Sequence, residues 1–386
     1  MFKSDEFRKA RLATLIAFLI NGFTIGNFVS RIPDFKTELG ISNAVLGASL
    51  FCASIGVLSA LRPASRSAAK YGSGPLTRYS AFTLSLALPL VGLLFNLPWF
   101  LFSLFIYGAL SSIHDLSMNA HAAALENKAG KRVMSTFHAM WSIGGLSGGA
   151  IGGTLASVGV PIRAHVLAIA IFTFLVALTT RNWFLPASAD MHSLGARKKY
   201  KMPRKFYVLG LFGLCGALGE GAASDWGGVL ARESFGATPF VSALPYVFFS
   251  LTMVIGRFSG DFLAQRFGAT KLLTWSGLVA GIGLTSGLMV GNIYGMIFGW
   301  LMFGIGLATV IPMVISATGS VANKDNAGQI SAAQGVALVT GIAYFGFVIG
   351  PPLLGVLADL LTLRWAMLVP AALALAFGLS ARKVLS

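Results

Sequence analysis

The chain has 386 residues, 55% hydrophobic and 11% charged, with a mean hydropathy of +0.77 and a formal charge of +16. Soluble domains carry about a quarter charged residues, so an ordinary soluble globule is excluded, and 30 Phe, 7 Trp and 8 Tyr exclude disorder. Cys52 and Cys215 are the only cysteines, both in apolar stretches, which excludes a disulfide framework.

At roughly 20 apolar residues per bilayer crossing, the length fits twelve helices. Apolar stretches fall at 12–30, 43–61, 79–96, 99–124, 134–157, 164–182, 206–230, 240–260, 272–291, 294–321, 328–357 and 363–381. The first of these is a span and not a cleaved leader. It is long, contains Asn21, lacks a small-x-small cleavage site and precedes eleven more spans. Numbering connections from a cytoplasmic N-terminus puts 24 of the 29 basic residues on the cytoplasmic side. Arg31, Lys36, Arg163, Arg232 and Arg364 remain outside. Such a bias orients the spans, so both termini are expected in the cytoplasm and the basic surplus implies no nucleic-acid partner.

The polar stretch from Arg181 to Lys205 divides the spans six and six. The expected domains are a six-helix bundle over 1–182, a cytoplasmic linker over 183–205 and a second bundle over 206–386. Sliding the sequence by 196 positions places Lys70-Tyr71-Gly72 on Arg266-Phe267-Gly268, Gly108 on Gly304, Asn127-Lys128 on Asn323-Lys324 and Ser135 on Ser331. One offset serving loops and helices argues for duplication, a known transporter architecture. The predicted fold class is an all-α integral membrane protein of twelve transmembrane helices in two pseudo-symmetric six-helix bundles. Glycines at Gly277, Gly281, Gly283, Gly287, Gly291, Gly295 and Gly299 make small-xxx-small faces suited to close helix packing. In the seventh span Gly210, Gly213, Gly216, Gly219 and Gly221 leave little side chain and invite bending.

Polar side chains at membrane depth cost at least about 2.5 kcal/mol and mark cavities or partners. In chain order they are Asn21 and Asn27; His114, Asp115, Asn119, His121 and Glu126; His138 and Trp141; Glu220, Asp225 and Trp226; and Gln334. Asp115, Asn119 and Glu126 share one helical face, with His114 and His121 on the adjoining stripe. Glu220 stands between two glycines near the bilayer middle, where desolvation favours the neutral acid. It is the sharpest proton-coupling candidate, with Asp115 second. The remaining polar residues suit substrate binding: Asn21 and Asn119 as paired donors and acceptors, His114, His121, His138, Asp225 and Gln334 beside them, Trp141 and Trp226 as stacking faces. No further ligand spacing supports a metal site, no cofactor loop is present, and no nucleophile–base pair suggests an enzyme.

Several segments carry a family resemblance: Arg31-Ile-Pro in the first loop, Met118-Asn119-Ala-His121 with Glu126, Met134-Ser-Thr-Phe-His138-Ala-Met-Trp141, Gly219-Glu-Gly-Ala-Ala-Ser-Asp-Trp226, Gly256-Arg-Phe-Ser-Gly-Asp261, Gly350-Pro-Pro-Leu-Leu-Gly355 and Leu363-Arg-Trp. The chain resembles twelve-span transporters of the major facilitator superfamily, most of all the fucose-permease-like branch with its YbjJ type. The resemblance implies alternating access, a cavity lined mainly by spans 1, 4, 7 and 10, and residence in a bacterial inner membrane. It also implies a cytoplasmic gate between spans 2 and 3, matched here by Lys70 and Gly72, and by Arg266 and Gly268 in the second half. That motif's acid is missing beside Lys70 and replaced by Gln265 beside Arg266, with Asp261 nearby.

The expected function is proton-coupled transport of a small polar, sugar-like or hydroxylated solute by a monomer whose partners are substrate, protons and lipid. Proton-driven export of amphipathic compounds and a transporter-like sensor are the rival expectations. Arg257 reads as the inner end of the eighth span.

Overall fold

The computed structural model describes residues 4–93, 96–129, 134–189, 202–325 and 332–385, and apart from one 3-10 turn at Ala187–Ala189 its regular elements are α-helices. They are α1 (Ser4–Leu39), α2 (Asn43–Tyr71), α3 (Ser73–Leu93), α4 (Leu97–Ala129), α5 (Met134–Ser157), α6 (Ile162–Thr180), α7 (Arg204–Phe235), α8 (Pro239–Phe267), α9 (Ala269–Val290), α10 (Ile293–Leu307), α11 (Val310–Asp325), α12 (Ala332–Leu361), α13 (Leu363–Ala366) and α14 (Leu368–Leu385). Among the described residues, eleven spans are long and apolar enough to cross a membrane. The predicted fifth span, α5, has the length but lies outside that set. Its glycines, serines and histidine dilute its apolar content.

Contacts divide the chain into two compact units, Met1–Ile41 with Ser49–Ala196 and Ser42–Ala48 with Arg197–Ser386. In the first unit α1 packs along α5. The approach is so close that a methyl added to Gly22 would overlap the Trp141 carbonyl, and one added to Gly144 would overlap that of Leu19. Here glycine is required by the backbone distance, because its missing side chain lets helices meet where no hydrophobic drive exists between them. Phe18, Met118, Ala122, Leu125, Phe137 and Leu185 form a buried cluster of this unit. Leu185 lies in the segment read from sequence as linker. The stretch Trp183–Ala189 is therefore built into the first unit, while residues 190–201 lie outside the described set.

Three sequence readings change. Arg31-Ile-Pro is not a loop, since α1 continues to Leu39. Arg31 is buried there because Asp34 pairs with it at 2.7 Å and His165 accepts from its Nε at 2.9 Å. The tenth span breaks at Ala308-Thr309, where the Thr309 hydroxyl meets that of Ser276 on α9 at 2.8 Å. The last span breaks at Met367 because Pro370, lacking an N–H, cannot bond the carbonyl four residues back and clashes with it.

In the second unit α7 packs along α12, α9 against α10 and α14. Gly277 faces Gly378, and Gly287 faces Gly295 and Gly299, so these glycines serve packing as expected. The seventh helix is unbroken despite its glycines, since Ile342, Ala343, Phe303 and Leu307 fill the space beside them. The segment Ser42–Ala48 belongs to this unit. Asp359 of α12 accepts from the backbone N–H groups of Asn43 and Ala44, both at 3.0 Å. A carboxylate there satisfies orphan donors and complements the positive helix start.

Candidate functional site

Each unit carries its own polar centre. In the first, Trp141 Nε1 on α5 donates to Asn21 Oδ1 on α1 at 2.9 Å, and Asn21 Nδ2 lies 3.1 Å from His114 Nδ1 on α4. An indole nitrogen can only donate, which fixes the Asn21 oxygen toward Trp141 and its amide toward the histidine. His114 Nδ1 must then accept, and the ring proton sits on Nε2. That Nε2 is buried and has no partner among the described residues. One helical step away, Asn119 Nδ2 donates to the carbonyl oxygen of Asp115 at 2.9 Å and to its carboxylate at 3.2 Å. Asp115 and Asn119 are half-buried. His138 is exposed and sets its ring edge against Phe18 at 5.3 Å.

The structure thus brings together Asn21, His114 and Trp141, with Asp115 and Asn119 adjoining on α4. It separates His121 from them. His121 is fully buried, its Nδ1 3.1 Å from the Ser73 hydroxyl and its Nε2 accepting from Leu185 N at 3.4 Å. Both nitrogens are used to hold the α2–α3 joint against the Trp183–Ala189 stretch. Glu126 caps the start of α5 by accepting from Met134 N at 2.9 Å.

In the second unit Glu220 sits midway along α7, and Arg257 of α8 reaches it. Arg257 Nη2 donates to both carboxylate oxygens, at 3.1 and 3.3 Å. The pair is partly open, with 31% of the arginine side chain and 19% of the glutamate side chain exposed. Glu220 is therefore not the solitary desolvated acid expected from sequence, and Arg257, near the inner end of its span as expected, pairs with it. Asp225 lies half-buried farther along α7. Trp226 is wholly buried with its indole N–H unpartnered among the described residues, so it offers no stacking face in this structure. The Gln334 and Asp261 side chains lie outside the described residues, although both positions are helical. No cluster of three or more metal-ligating residues occurs among the described residues.

These paired polar centres inside apolar helices bear comparison with known proteins. The family model described as Major Facilitator Superfamily matches residues 14–337 and 230–385. The chain belongs to this superfamily. It is 28% identical to an uncharacterized MFS-type transporter of Yersinia pestis, over 97% of this chain and 95% of the relative. Its fold is similar to that of a bacterial homolog of the human lysosomal transporter Spinster in an inward-facing, unoccupied conformation (TM-score 0.76, 13% identity, 99% and 98% of the two chains). It is also similar to FucP in the outward conformation (TM-score 0.62, 19% identity, 96% and 98%). At these identities the structural likeness shows the fold alone. As a superfamily member the chain is a multi-pass membrane transporter and not an enzyme.

The Lys70–Gly72 and Arg266–Gly268 segments fall at two helix joints. Gly72 ends α2 and Gly268 ends α8, and both adopt φ +81°, a left-handed conformation that favours glycine. Lys70 rides 4.9 Å over the Tyr71 ring, and Arg266 5.5 Å over the Phe267 ring. The 196-residue repeat thus extends to backbone angle and ring contact. No role for His165 is legible in the sequence. Its Nδ1 accepts from Arg31, so its Nε2–H donates to Asn27 Oδ1 at 2.8 Å. A lone histidine just inside a predicted span, opposite an arginine read as a loop residue, was its only trace.

Proposed function

We propose that this chain is a proton-coupled secondary active transporter for a small hydroxylated solute, working by alternating access. We place it in the fucose-permease-like, YbjJ-type branch, as a monomer in a bacterial inner membrane with both termini cytoplasmic. The supporting observation is the half-open Glu220–Arg257 pair at mid-helix. A buried pair is held by neutrality, and removing either charge exposes the cost of the other. Protonating Glu220 does the same reversibly, so proton uptake becomes a change in what Arg257 can hold. Asp115, whose carboxylate accepts from Asn119, is the second coupling candidate. The Asn21–His114–Trp141 chain supports recognition of hydroxyl groups, because it presents oriented amide, imidazole and indole groups in an apolar setting. Asp225, Gln334, His138, His121 and Trp226 complete the proposed polar inventory, the last two only where their present burial is relieved. Lys70, Gly72, Asp261, Arg266 and Gly268 are proposed as cytoplasmic gate positions.

The test is uptake of labelled polyols, sugars and sugar acids into proteoliposomes holding the purified chain. An inside-alkaline gradient is expected to drive accumulation of at least one of them, and a protonophore to abolish it. Accumulation indifferent to the gradient, with counterflow intact, rejects the coupling.

A further inference from the structure

Arg257 has five N–H donors, and among the described residues Nη2 alone is engaged, with both its bonds going to Glu220. The side chain keeps almost a third of its surface open. A guanidinium at membrane depth must have a counter-anion, given the cost of a lone charge there. When Glu220 takes a proton, that counter-anion is lost. The elements packed on α7 and α8 supply few substitutes. Helix α10 has no charged residue. Helices α9, α11, α12, α13 and α14 bring only Lys271, Lys324, Asp325, Asp359, Arg364, Arg382 and Lys383, all at or near helix ends. On α7 itself, Asp225 stands about 140° round the helix from Glu220, five residues at about 100° each, and Arg232 and Glu233 close its last turn. On α8, Asp261 follows Arg257 by four positions and Arg266 by nine.

We infer that Arg257 is the recognition site for an anionic substrate, a hydroxylated monocarboxylate, whose carboxylate replaces that of Glu220 once Glu220 is protonated. This rests on the proton-coupled reading and names its substrate class. Charge closes in both states. Before binding, Glu220⁻ and Arg257⁺ sum to zero; afterwards neutral Glu220, Arg257⁺ and one carboxylate again sum to zero. One proton therefore enters with each monoanion. Arginine and carboxylate match as fork to fork. A phosphate monoester carries between one and two charges near neutrality, because its second pKa is about 6, and its second charge has no counter-cation here.

The test uses the full chain in proteoliposomes, with D-gluconate and D-glucuronate against D-glucose and D-glucose 6-phosphate. Counterflow of gluconate, inhibited by glucuronate and not by the neutral sugar or the phosphate ester, is expected. Arg257→Gln should weaken gluconate binding more than about 30-fold, the lower bound for truncating one partner of a buried charge pair, while Arg257→Lys keeps part of it. Glu220→Gln should bind gluconate with a pH dependence that has vanished. The parent chain instead loses affinity by up to about tenfold per pH unit as Glu220 deprotonates, the limit for one linked proton. The double variant Glu220→Gln/Arg257→Gln has no unpaired charge to unfold it; retention of gluconate binding there overturns the inference. Gradient-driven glucose uptake with both carboxylates inert also overturns it and leaves the proton-coupled reading standing. Gluconate counterflow without any accumulation driven by a pH gradient rejects the coupling itself, and with it the part given to Glu220.

Discussion

The polar centre of the first unit is a chain of neutral groups, whereas that of the second is an ion pair. Trp141, Asn21 and His114 hold one another through oriented hydrogen bonds, and the His114 Nε2–H has no partner among the described residues. Glu220 and Arg257 hold one another by charge. A neutral chain holds its geometry through oriented hydrogen bonds, and its amide and indole do not titrate near neutrality, which leaves the buried His114 imidazole as its one titratable member. A charge pair gives a state that one proton changes. On the proposed reading, the first unit orients the solute's hydroxyl groups, and the second couples its movement to a proton and holds its carboxylate at Arg257.

The largest effect should follow from breaking that contrast at its charged end. Glu220→Gln is expected to reduce gradient-driven accumulation at least about 100-fold while exchange stays within several-fold, because coupling and binding are separate free energies. The companion Asp115→Asn should leave coupling largely in place and raise the half-saturation concentration only several-fold. Measured together by uptake and counterflow, equal losses from both variants would erase the distinction between the units.

Next in size is the neutral chain. Asn21→Ala removes the acceptor of Trp141 and the donor to His114 at once. Leaving buried polar groups unpaired costs about 1–3 kcal/mol each, so a lower unfolding temperature in detergent is expected. Proton coupling should survive in the remaining folded protein. Loss of coupling with an unchanged unfolding temperature would move the proton path into the first unit.

How much of this was legible beforehand depends on what sets each feature. Span positions follow from apolar runs alone, and the described residues of each of the twelve predicted runs lie mainly in helices. Breaks inside runs depend on single atoms: the missing N–H of Pro370 was readable, but the Thr309–Ser276 hydroxyl contact needs two helices in place. Glu220 stood out because an acid between glycines in an apolar run is rare. Arg257 lies near the inner end of the predicted span 240–260, flanked by Ile255, Gly256 and Phe258. Counting it with the cytoplasmic charges hid its pairing with Glu220, which needs two helices in place. His121 and Trp226 looked equivalent to His114 and Trp141 by residue type; only packing distinguishes a histidine with both nitrogens occupied from one with a free N–H.

The two loop joints carry the comparison to smaller energies. Gly72 and Gly268 share φ +81° but not surroundings. A methyl on Gly72 would come within 2.7 Å of the Ala187 Cα, and one on Gly268 would meet nothing within 4 Å. Alanine at either site must hold a positive φ, at Gly268 with ψ 147°, a region almost confined to glycine, and such strain costs about 1–3 kcal/mol. Only Gly72→Ala adds a backbone collision, so it should lower the unfolding temperature more than Gly268→Ala does. Equal shifts would mean that Ala187 yields without cost.

The smallest effects belong to the cations beside those glycines. Lys70 and Arg266 are exposed, each resting on the ring next to it in sequence. Such contacts are worth about 0.5–1 kcal/mol at exposed sites, so Lys70→Ala and Arg266→Ala should each change uptake by less than about twofold. A gate built on a charge lock predicts something different, because its cation must meet an acid in one conformation of the cycle. The motif's acid is absent beside Lys70 and is glutamine at position 265, which leaves Asp261 as the acid nearest in sequence to either cation. If Arg266→Ala slows uptake tenfold and Asp261→Asn slows it equally, with no further loss in the double variant, the second joint holds a lock that the first lacks. Additive, small effects would leave both joints as glycine hinges with solvated cations, alike in conformation and in function.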